Sequence, residues 1–279
     1  MTTYKPSPRP RFDGPAAIPF ASVTRHVWGD AEAGEVADWI YASTDKVHCL
    51  VFGLPVNGAF RHSPEFLTVF GADEWLHVLE GVMAIANPET GEVERIPAGE
   101  SVFFRKDTWH HAFACDSRPL KVVEFFAPPP STGSSGAYAR TRPYLDTSRY
   151  ADDALLGRLE PGAPRVRTLH PVRDAELVWR RDTGALIGLA CSTEHLTAGV
   201  LEVQAGETAA AHAHGGDEVL YVTDGVLHVR AWHADETRVF ELRRDDACYL
   251  PAGARHEYRN YGAGTARAVF GVAPDYRAP

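Results

Sequence analysis

The amino-acid sequence predicts an all-β fold made of two copies of one domain. Apolar runs of four to eight residues, cut by Gly, Pro, Asn or Asp, recur along the chain, for example HCLVFGL from position 48 and KVVEFF from position 121. Segment 73–83 aligns with segment 217–227 at an offset of 144 residues, with six of eleven positions identical. Short strands at this spacing are typical of β-sandwiches and barrels, and the repeat indicates two of them.

Helix patterns are sparse. Residues 31–41 (AEAGEVADWIY) have a composition that permits one short helix. Residues 151–159 permit another, because Asp152 and Asp153 would lie in its first turn, where acidic side chains are favourable. We therefore expect these two helices and strands elsewhere.

The repeat and the composition divide the chain into four parts. Between the two copies runs a stretch rich in Pro, Gly and Ser, which we expect to pack over the domains as a linker; a substrate lid made by its Tyr and Arg side chains is the lesser alternative. The parts are an N-terminal arm with a short helix (1–45), the first β-domain (46–127), the linker with its short helix (128–175) and the second β-domain (176–279). The lid candidates are Tyr138, Arg140, Arg142 and Tyr144.

Composition excludes several classes of partner. The 279 residues carry a formal net charge of −9 without a run of Lys or Arg, so neither nucleic acid nor an anionic membrane is an expected partner. No stretch approaches the roughly 18 apolar residues of a membrane span. The four cysteines are scattered without a CxxC pair, which is typical of reduced thiols. We expect a cytoplasmic protein.

One stretch of the second domain has the spacing of metal ligands. His212 and His214 stand at i and i+2, so a strand would present both rings on one face, and the Gly-Gly pair that follows lets the chain turn so that Glu218 joins them. About forty residues on, the turn PAGAR is followed by His256, from an expected neighbouring antiparallel strand. Three imidazoles and one carboxylate suit a divalent transition metal.

This segment resembles the two motifs of the cupin superfamily. The departure from the pattern is Asp245, where the second motif begins with glycine. The resemblance implies two tandem jelly-roll (double-stranded β-helix) barrels and one metal ion per chain, with Fe(II) favoured and Mn(II), Ni(II), Zn(II) or Cu(II) as alternatives. The first motif is matched by Gly206, His212, His214, Glu218 and Gly225, and the second by Pro251, Gly253, His256 and Asn260.

The first copy has lost part of this pattern. Glu74 and His110 fall at the positions of Glu218 and His256, but Thr68 and Phe70 stand where the His-x-His pair would be. At most two good ligands remain, which is too few to hold a divalent ion against water. We therefore expect the metal in the second barrel alone.

Three further side chains are candidates for a catalytic role. Tyr258 lies two residues past His256, so it shares the inward face and its hydroxyl is either an acid near the substrate or a core group. His228 and Arg230 lie on the strand after Gly225. If that face is inward, Arg230 is placed to hold a substrate carboxylate; if outward, both are surface residues.

The resemblance implies several activities. Our expectation is a dioxygenase-like oxygenase that acts on a small, oxygen-chelating organic substrate. The alternatives are a non-redox isomerase, decarboxylase or lyase that uses the metal as a Lewis acid, and a small-molecule-binding protein without turnover. Because cupins commonly pair through exposed sheets, a homodimer is also implied.

Overall fold

The structure is a computed structural model that describes residues 8–30, 34–60, 70–87, 90–106, 108–128, 167–182 and 184–277. This part of the chain is built from strands and two short 3₁₀ turns, Phe20–Ser22 and Asp174–Glu176. The all-β prediction is confirmed. Among the described residues, no helix has the length and apolarity needed to cross a bilayer.

Each half of the chain contributes one set of strands. The first half contains β1 (Ala16–Ile18), β2 (Thr24–Asp30), β3 (Gly34–Ser43), β4 (His48–Leu54), β5 (Ala59–Phe60), β6 (Asp73–Glu80), β7 (Val82–Asn87), β8 (Glu92–Pro97), β9 (Ser101–Phe104), β10 (His111–Ala114) and β11 (Leu120–Ala127). The second half contains β12 (His170–Val172), β13 (Val178–Asp182), β14 (Ala185–Ser192), β15 (Thr197–Val203), β16 (Asp217–Asp224), β17 (Val226–His233), β18 (Glu236–Arg243), β19 (Ala247–Leu250), β20 (Arg255–Arg259) and β21 (Ala266–Ala273).

The strands form two barrels of the same design. In the first barrel a seven-stranded sheet, β12-β9-β6-β11-β4-β3-β2, faces a four-stranded sheet, β5-β10-β7-β8. In the second, the sheet β1-β19-β16-β21-β15-β14-β13 faces the three-stranded sheet β18-β17-β20. Every pairing between these strands is antiparallel, as expected for a jelly roll.

Three apolar cores hold this arrangement together. One fills the first barrel and includes Leu76 and Phe104, and a second fills the other barrel and includes Leu220 and Leu250. The third lies between the barrels, where the outward side chains of both seven-stranded sheets meet. The two large sheets are therefore buried on both faces, which is why their strands read as continuous apolar runs. The largest side chains of the third core are Trp75, Phe125, Tyr41, Tyr221 and Tyr249.

The barrels also exchange edge strands. β1 comes from the start of the chain but pairs with β19 of the second barrel, and Phe12 stacks on Tyr249 with ring centroids 5.2 Å apart. β12 lies just before the second barrel but pairs with β9 of the first. Each large sheet thus has an edge that is covered by a segment from the other half of the chain.

Two sequence expectations about the N-terminal region and the linker are corrected. The helix predicted at 31–41 is wrong, because residues 34–43 form β3, which pairs with both β2 and β4. Val36 and Ile40 enter the first barrel, so burial overrides the helix propensity of the Ala and Glu residues. Residues 24–43 therefore belong to the first barrel, and 170–172 of the linker join its sheet. The helix predicted at 151–159 and the four lid candidates lie outside the described residues.

The packing between the barrels can be tested at Gly271. A Cβ atom there would meet Cδ1 of Phe125 at 2.5 Å, across the third core. We expect Gly271→Ala to lower the free energy of unfolding by about 1–3 kcal/mol, because a packed interior accommodates an added methyl poorly. Gly264→Ala is the control, since a Cβ atom there meets nothing within 4 Å. Urea titrations measure both, and an equal effect of the two substitutions would contradict this packing.

Acid stability provides a second test. Burial, followed by the charge of Arg267, lowers the pKa of His77 to about 4, while its Nδ1 lies 2.8 Å from the Ser101 hydroxyl. Between the ordinary pKa and this value the unfolded chain binds a proton that the folded chain does not, so stability falls as pH falls. From pH 7 to 4 the wild type should lose about 3 kcal/mol more than His77→Gln. His170→Gln is the control, because His170 is exposed. Denaturant titrations at each pH measure the free energy of unfolding. If both variants lost as much of it between pH 7 and 4 as the wild type, the assignment would be contradicted.

Candidate metal centre

The His-x-His pair is placed by a short strand-like contact and a tight turn. His212 and His256 exchange two backbone hydrogen bonds, each of 2.8 Å, so the two segments lie side by side. The next residues turn sharply: a Cβ atom on Gly216 would meet the carbonyl oxygen of Ala273 at 2.3 Å. Glycine is required at this close approach. The turn leads directly into β16, whose second residue is Glu218, with its side chain directed into the barrel.

The three histidine rings converge. Their ligand nitrogens lie within 4.8 Å of one another, and His212 and His256 have ring centroids 4.3 Å apart. His214 and His256 are buried and His212 is half-buried. The predicted grouping of His212, His214 and His256 is therefore present.

The tautomer of each ring is set by a backbone carbonyl. Nδ1 of His212 lies 2.9 Å from the carbonyl oxygen of Ala210, and Nδ1 of His256 lies 2.9 Å from that of Ala254. Nδ1 of His214 contacts the carbonyl of Tyr276 in the same way at 2.6 Å. A carbonyl only accepts, so each Nδ1 carries the proton and each Nε2 keeps a lone pair. This is the outer-shell arrangement of metal-binding histidines.

Glu218 completes the donor set. Its Oε2 atom lies 3.1 Å from Nε2 of His256 and 3.7 Å from Nε2 of His214. Burial raises the pKa of this carboxyl, but the adjacent imidazoles, His256 first and then His214 and His212, outweigh burial and lower it to about 2. Three converging imidazole nitrogens with a carboxylate oxygen beside two of them are a donor set that fits a divalent transition metal.

Tyr258 lies inside this cluster, on the inward face that the sequence predicts. Its hydroxyl donates to Glu218, with distances of 2.8 and 2.9 Å to the two carboxylate oxygens, and lies 3.0 Å from Nε2 of His256. Burial, then the charge of Glu218, raises the pKa of Tyr258 well above its ordinary value. The hydroxyl is thus a proton donor next to the converging nitrogens.

The C-terminal segment forms one wall of the site. The ring of Tyr276 stacks on His214 at 4.6 Å between centroids and on Phe270 at 6.0 Å. The guanidinium of Arg180 lies over the same ring, 4.9 Å from its centroid, and donates a hydrogen bond to its hydroxyl. Arg180 is exposed, so a cationic group lies on the ring that stacks on His214.

Of the two orientations that the sequence left open for His228 and Arg230, the structure has the outward one, so neither is a catalytic candidate. In β17 the residues Leu227, Val229 and Ala231 enter the barrel core, so the two candidates point to the outer surface. There Nε2 of His228 lies 3.5 Å from Glu241, and Arg230 pairs with Glu257 on the neighbouring strand. Neither can reach the three histidines.

Two remaining motif positions have structural roles. Asn260 donates hydrogen bonds of 2.8 and 2.7 Å to the carbonyls of Val203 and Gly264, which ties the loops at the end of the barrel.

Asp245, which replaces the glycine of the second motif, adopts a positive φ of 72°. Aspartate tolerates this conformation better than most residues. Its carboxylate also accepts from Lys121 at 2.8 Å, across the barrel interface.

The first barrel has a different interior. Phe70 is buried and packs on Phe126, with ring centroids 5.2 Å apart, while Thr68 lies outside the described residues. Glu74 and His110 face inward as predicted, with Nε2 of His110 3.7 Å from Oε2 of Glu74. A second carboxyl, that of Glu124, joins them, and the three donor groups lie within 4.8 Å of one another.

These two carboxyls are electrostatically unlike Glu218. Burial, then the charge of Glu124 and a hydrogen bond with it, raises the pKa of Glu74 well above its ordinary value. Burial raises the pKa of Glu124 to about 7. Burial lowers the pKa of His110 to about 4. The first barrel therefore favours neutral groups at positions where the second holds a carboxylate.

The sequence analysis missed Glu124, Arg180 and Tyr276. Glu124 carried a usable signal, because it is a lone charge within the apolar run KVVEFF and shares the parity of inward residues. Arg180 and Tyr276 belong to no motif. They meet the site because the C-terminal segment returns along the Gly-Gly turn, where Gly215 donates to the carbonyl of Arg277 at 2.6 Å.

Comparison with known proteins agrees with this site. Residues 199–272 match the family described as Cupin domain, and they include all four proposed ligands. The second barrel is a cupin domain. A curated Streptomyces cyaneus protein named polyketide synthase CurC is 34% identical over 77 residues, which are 27% of this chain and 47% of that protein. The match thus spans about half the length of this curated relative.

Solved structures extend the similarity to the whole bicupin fold. Lactobacillus farciminis oxalate decarboxylase, in a formate complex, superposes with a TM-score of 0.66 at 16% identity over 93% of this chain and 86% of that one. Bacillus subtilis oxalate decarboxylase, studied for its Mn(II) centres, superposes with a TM-score of 0.67 at 14% identity over 97% and 80%. At these identities the similarity concerns the two-barrel fold.

The ligand assignment can be tested by metal content. His256→Ala removes one converging nitrogen, so we expect the affinity for Mn(II) at this site to fall by at least about 100-fold, since changes in the outer shell alone cost 10–100-fold. His228→Ala is the matched control, because this ring faces outward from the neighbouring strand. Competition with a metal-binding dye measures both variants. Wild-type affinity in His256→Ala, or equal losses in both, would contradict the assignment.

Proposed function

We propose that this protein is a metal-dependent cupin enzyme that decarboxylates a small β-keto acid in its second barrel. The ligands are His212, His214, Glu218 and His256. The observation that carries the proposal is that all three imidazoles have Nδ1 bound to a backbone carbonyl, which leaves every Nε2 as a ligand atom of one converging cluster beside Glu218. A bound divalent ion supplies Lewis-acid polarisation of a carbonyl oxygen.

The comparisons favour the decarboxylase alternative over the oxygenase expected from the sequence. Two solved structures that share this fold are oxalate decarboxylases, and oxalate is a small, oxygen-rich acid. The curated relative of the second barrel is named a polyketide synthase, and polyketides are built from β-keto units. A β-keto acid satisfies both indications, and its keto and carboxylate oxygens chelate a metal. Mn(II) replaces Fe(II) as the preferred ion in the proposal.

The chain's own residues account for substrate orientation and proton supply. Arg180 lies as a cation on the ring of Tyr276 and, with the hydroxyl of that residue, is suited to bind a substrate carboxylate or a second anionic group. The ring of Tyr276 and Phe270 form an apolar wall that limits water beside His214. The substrate is thereby held with its reacting carbon near Tyr258.

Tyr258 supplies the proton that the reaction needs. Decarboxylation breaks the bond between the carboxylate carbon and the α-carbon, releases CO₂ and leaves the electron pair on the enolate. Protonation of the α-carbon then completes the product. The hydroxyl of Tyr258 donates to Glu218 at 2.8 Å and lies 3.0 Å from Nε2 of His256, so a proton donor stands beside the converging nitrogens. Solvent returns the proton to the phenolate oxygen.

The metal and oxygen requirements separate this proposal from the oxygenase. Metal-free protein would be loaded in turn with Mn(II), Zn(II) and Fe(II) and incubated with acetoacetate and related β-keto acids, with and without oxygen. We expect CO₂ release under nitrogen with Mn(II) or Zn(II), because carbonyl polarisation requires no change in oxidation state. Turnover that required both Fe(II) and oxygen would overturn the proposal in favour of an oxygenase.

The role of Tyr258 has its own readout. Tyr258→Phe should lower kcat by about 10²–10⁴-fold, as is typical for loss of a positioned acid, while KM changes little. The variant should keep its Mn(II) content, since the four ligands remain. Tyr261→Phe is the control, because Tyr261 lies on the exposed outer surface of the same barrel. Equal kcat values in the two variants would rule out Tyr258 as the proton donor.

A further inference from the structure

The first barrel contains a buried donor cluster that the motif comparison does not reveal. Glu74 on β6 and His110 before β10 occupy motif positions, whereas Glu124 on β11 does not. The registers place Glu124 two residues before Phe126, which faces Glu74, and Phe270 two residues before Val272, which faces Glu218. Glu124 thus occupies the position that Phe270 fills in the second barrel. The first barrel has lost its His-x-His pair but gained a carboxylate.

The three groups have the geometry of a ligand set. Their donor atoms lie within 4.8 Å of one another, and all three residues are buried. Nδ1 of His110 lies 3.2 Å from the carbonyl oxygen of Thr108, two residues earlier in the chain, as Nδ1 of His256 does with Ala254. Nε2 of His110 is therefore the ligand atom, and it points toward Glu74. The ring is held in place by Phe104, at 4.5 Å between centroids.

One carboxylate oxygen in this cluster has no hydrogen-bond partner. Oε2 of Glu74 is completely buried, lies 3.7 Å from Nε2 of His110 and accepts no hydrogen bond in the described part of the chain. An unsatisfied buried carboxylate oxygen is costly, typically by about 1–3 kcal/mol or more. Its direction, toward the imidazole nitrogen and the second carboxyl, is that of a ligand atom.

The charge in the cluster also lacks compensation from the protein. Within the described residues, no Lys or Arg forms an ion pair with Glu74 or Glu124. Arg105, the cation at the end of β9, pairs with Asp73 and Glu194 instead. Two adjacent buried carboxyls must either retain a proton or bind a cation. Burial, then the charge of Glu124, raises the pKa of Asp38 well above its ordinary value, so a third acidic group lies near this cluster.

We propose that the first barrel binds a second divalent cation through His110, Glu74 and Glu124. Its donor set is richer in oxygen than that of the second barrel, with two carboxylates and one imidazole against one carboxylate and three imidazoles. Oxygen donors favour harder ions, so this site selects Mn(II) or Mg(II), whereas the second barrel also accepts Zn(II). The two barrels therefore differ in metal preference rather than in metal occupancy.

Metal stoichiometry tests this inference without reference to activity. Metal-free full-length protein would be reconstituted with Mn(II), freed of excess ion and analysed by mass spectrometry of the metal and by electron paramagnetic resonance. We expect two Mn(II) per wild-type chain, one in Glu124→Gln, one in His256→Ala and none in the double variant. Glu92→Gln is the control and should retain two, because this buried carboxylate already accepts hydrogen bonds from Thr168.

The outcomes separate the two proposals. One Mn(II) in the wild type, lost in His256→Ala and kept in Glu124→Gln, would overturn the second site and leave the proposed function intact. One Mn(II) that is lost in Glu124→Gln and kept in His256→Ala would support the first-barrel site and overturn the assignment in the second barrel. If Glu124→Gln failed to fold, His110→Gln would provide the same comparison. A paramagnetic signal that remains in His256→Ala after exposure to Zn(II) is the result expected for the harder site.

Discussion

The alternation of side chains along strands that are buried on both faces is the constraint on which this molecule depends. In β16, Glu218 and Leu220 enter the barrel, while Val219 and Tyr221 pack against the first barrel. A shift of one residue in register would move the Glu218 carboxylate into the barrel interface and the ring of Tyr221 into the barrel core. The packing of the third core thus fixes the direction of a metal ligand. The same parity in β6 directs Glu74 inward and Trp75 toward the neighbouring barrel.

A reciprocal polar contact joins the barrels next to each ligand position. Asp217, immediately before Glu218, accepts from Lys46 of the first barrel at 2.8 Å and from the hydroxyl of Tyr249 at 2.8 Å. Asp73, immediately before Glu74, accepts from Thr193 of the second barrel at 2.7 Å. Each inward carboxyl therefore follows an aspartate that is anchored to the other half of the chain. The two equivalent aspartates of the sequence repeat thus make equivalent contacts across the barrel interface.

Much of the second barrel is predictable from sequence, because its ligands are close together and in motif register. His212, His214, Glu218 and His256 lie where the spacing implies, and Tyr258 follows from parity. For His228 and Arg230 both faces of β17 were left open; the alternating apolar residues Leu227, Val229 and Ala231 fill the core, so the two polar side chains point outward. Residues 34–43 were misread because Ala and Glu favour helix when isolated, whereas here both neighbouring strands pair with them.

Long-range contacts account for the remaining differences. Arg180 and Tyr276 are about a hundred residues apart, and their meeting depends on the path of the C-terminal segment. The cluster in the first barrel required the register of β11 against β6, which a motif search does not provide. Thr68 and Phe70 show that the His-x-His pair is absent from the first barrel. They carry no information about Glu124, which lies on β11, outside both motifs.

The exchange of edge strands has a consequence for how the two copies relate. A duplicated domain normally keeps its own edges, and the copies can then diverge or separate independently. Here β1 completes the barrel at the far end of the chain, and β12 completes the barrel before it. Neither half contains all of its own sheet, so a break between them would expose a row of unpaired backbone groups on both pieces. Each copy therefore depends on the other for one edge strand. A substitution in β1 or β12 acts on the sheet of the opposite barrel.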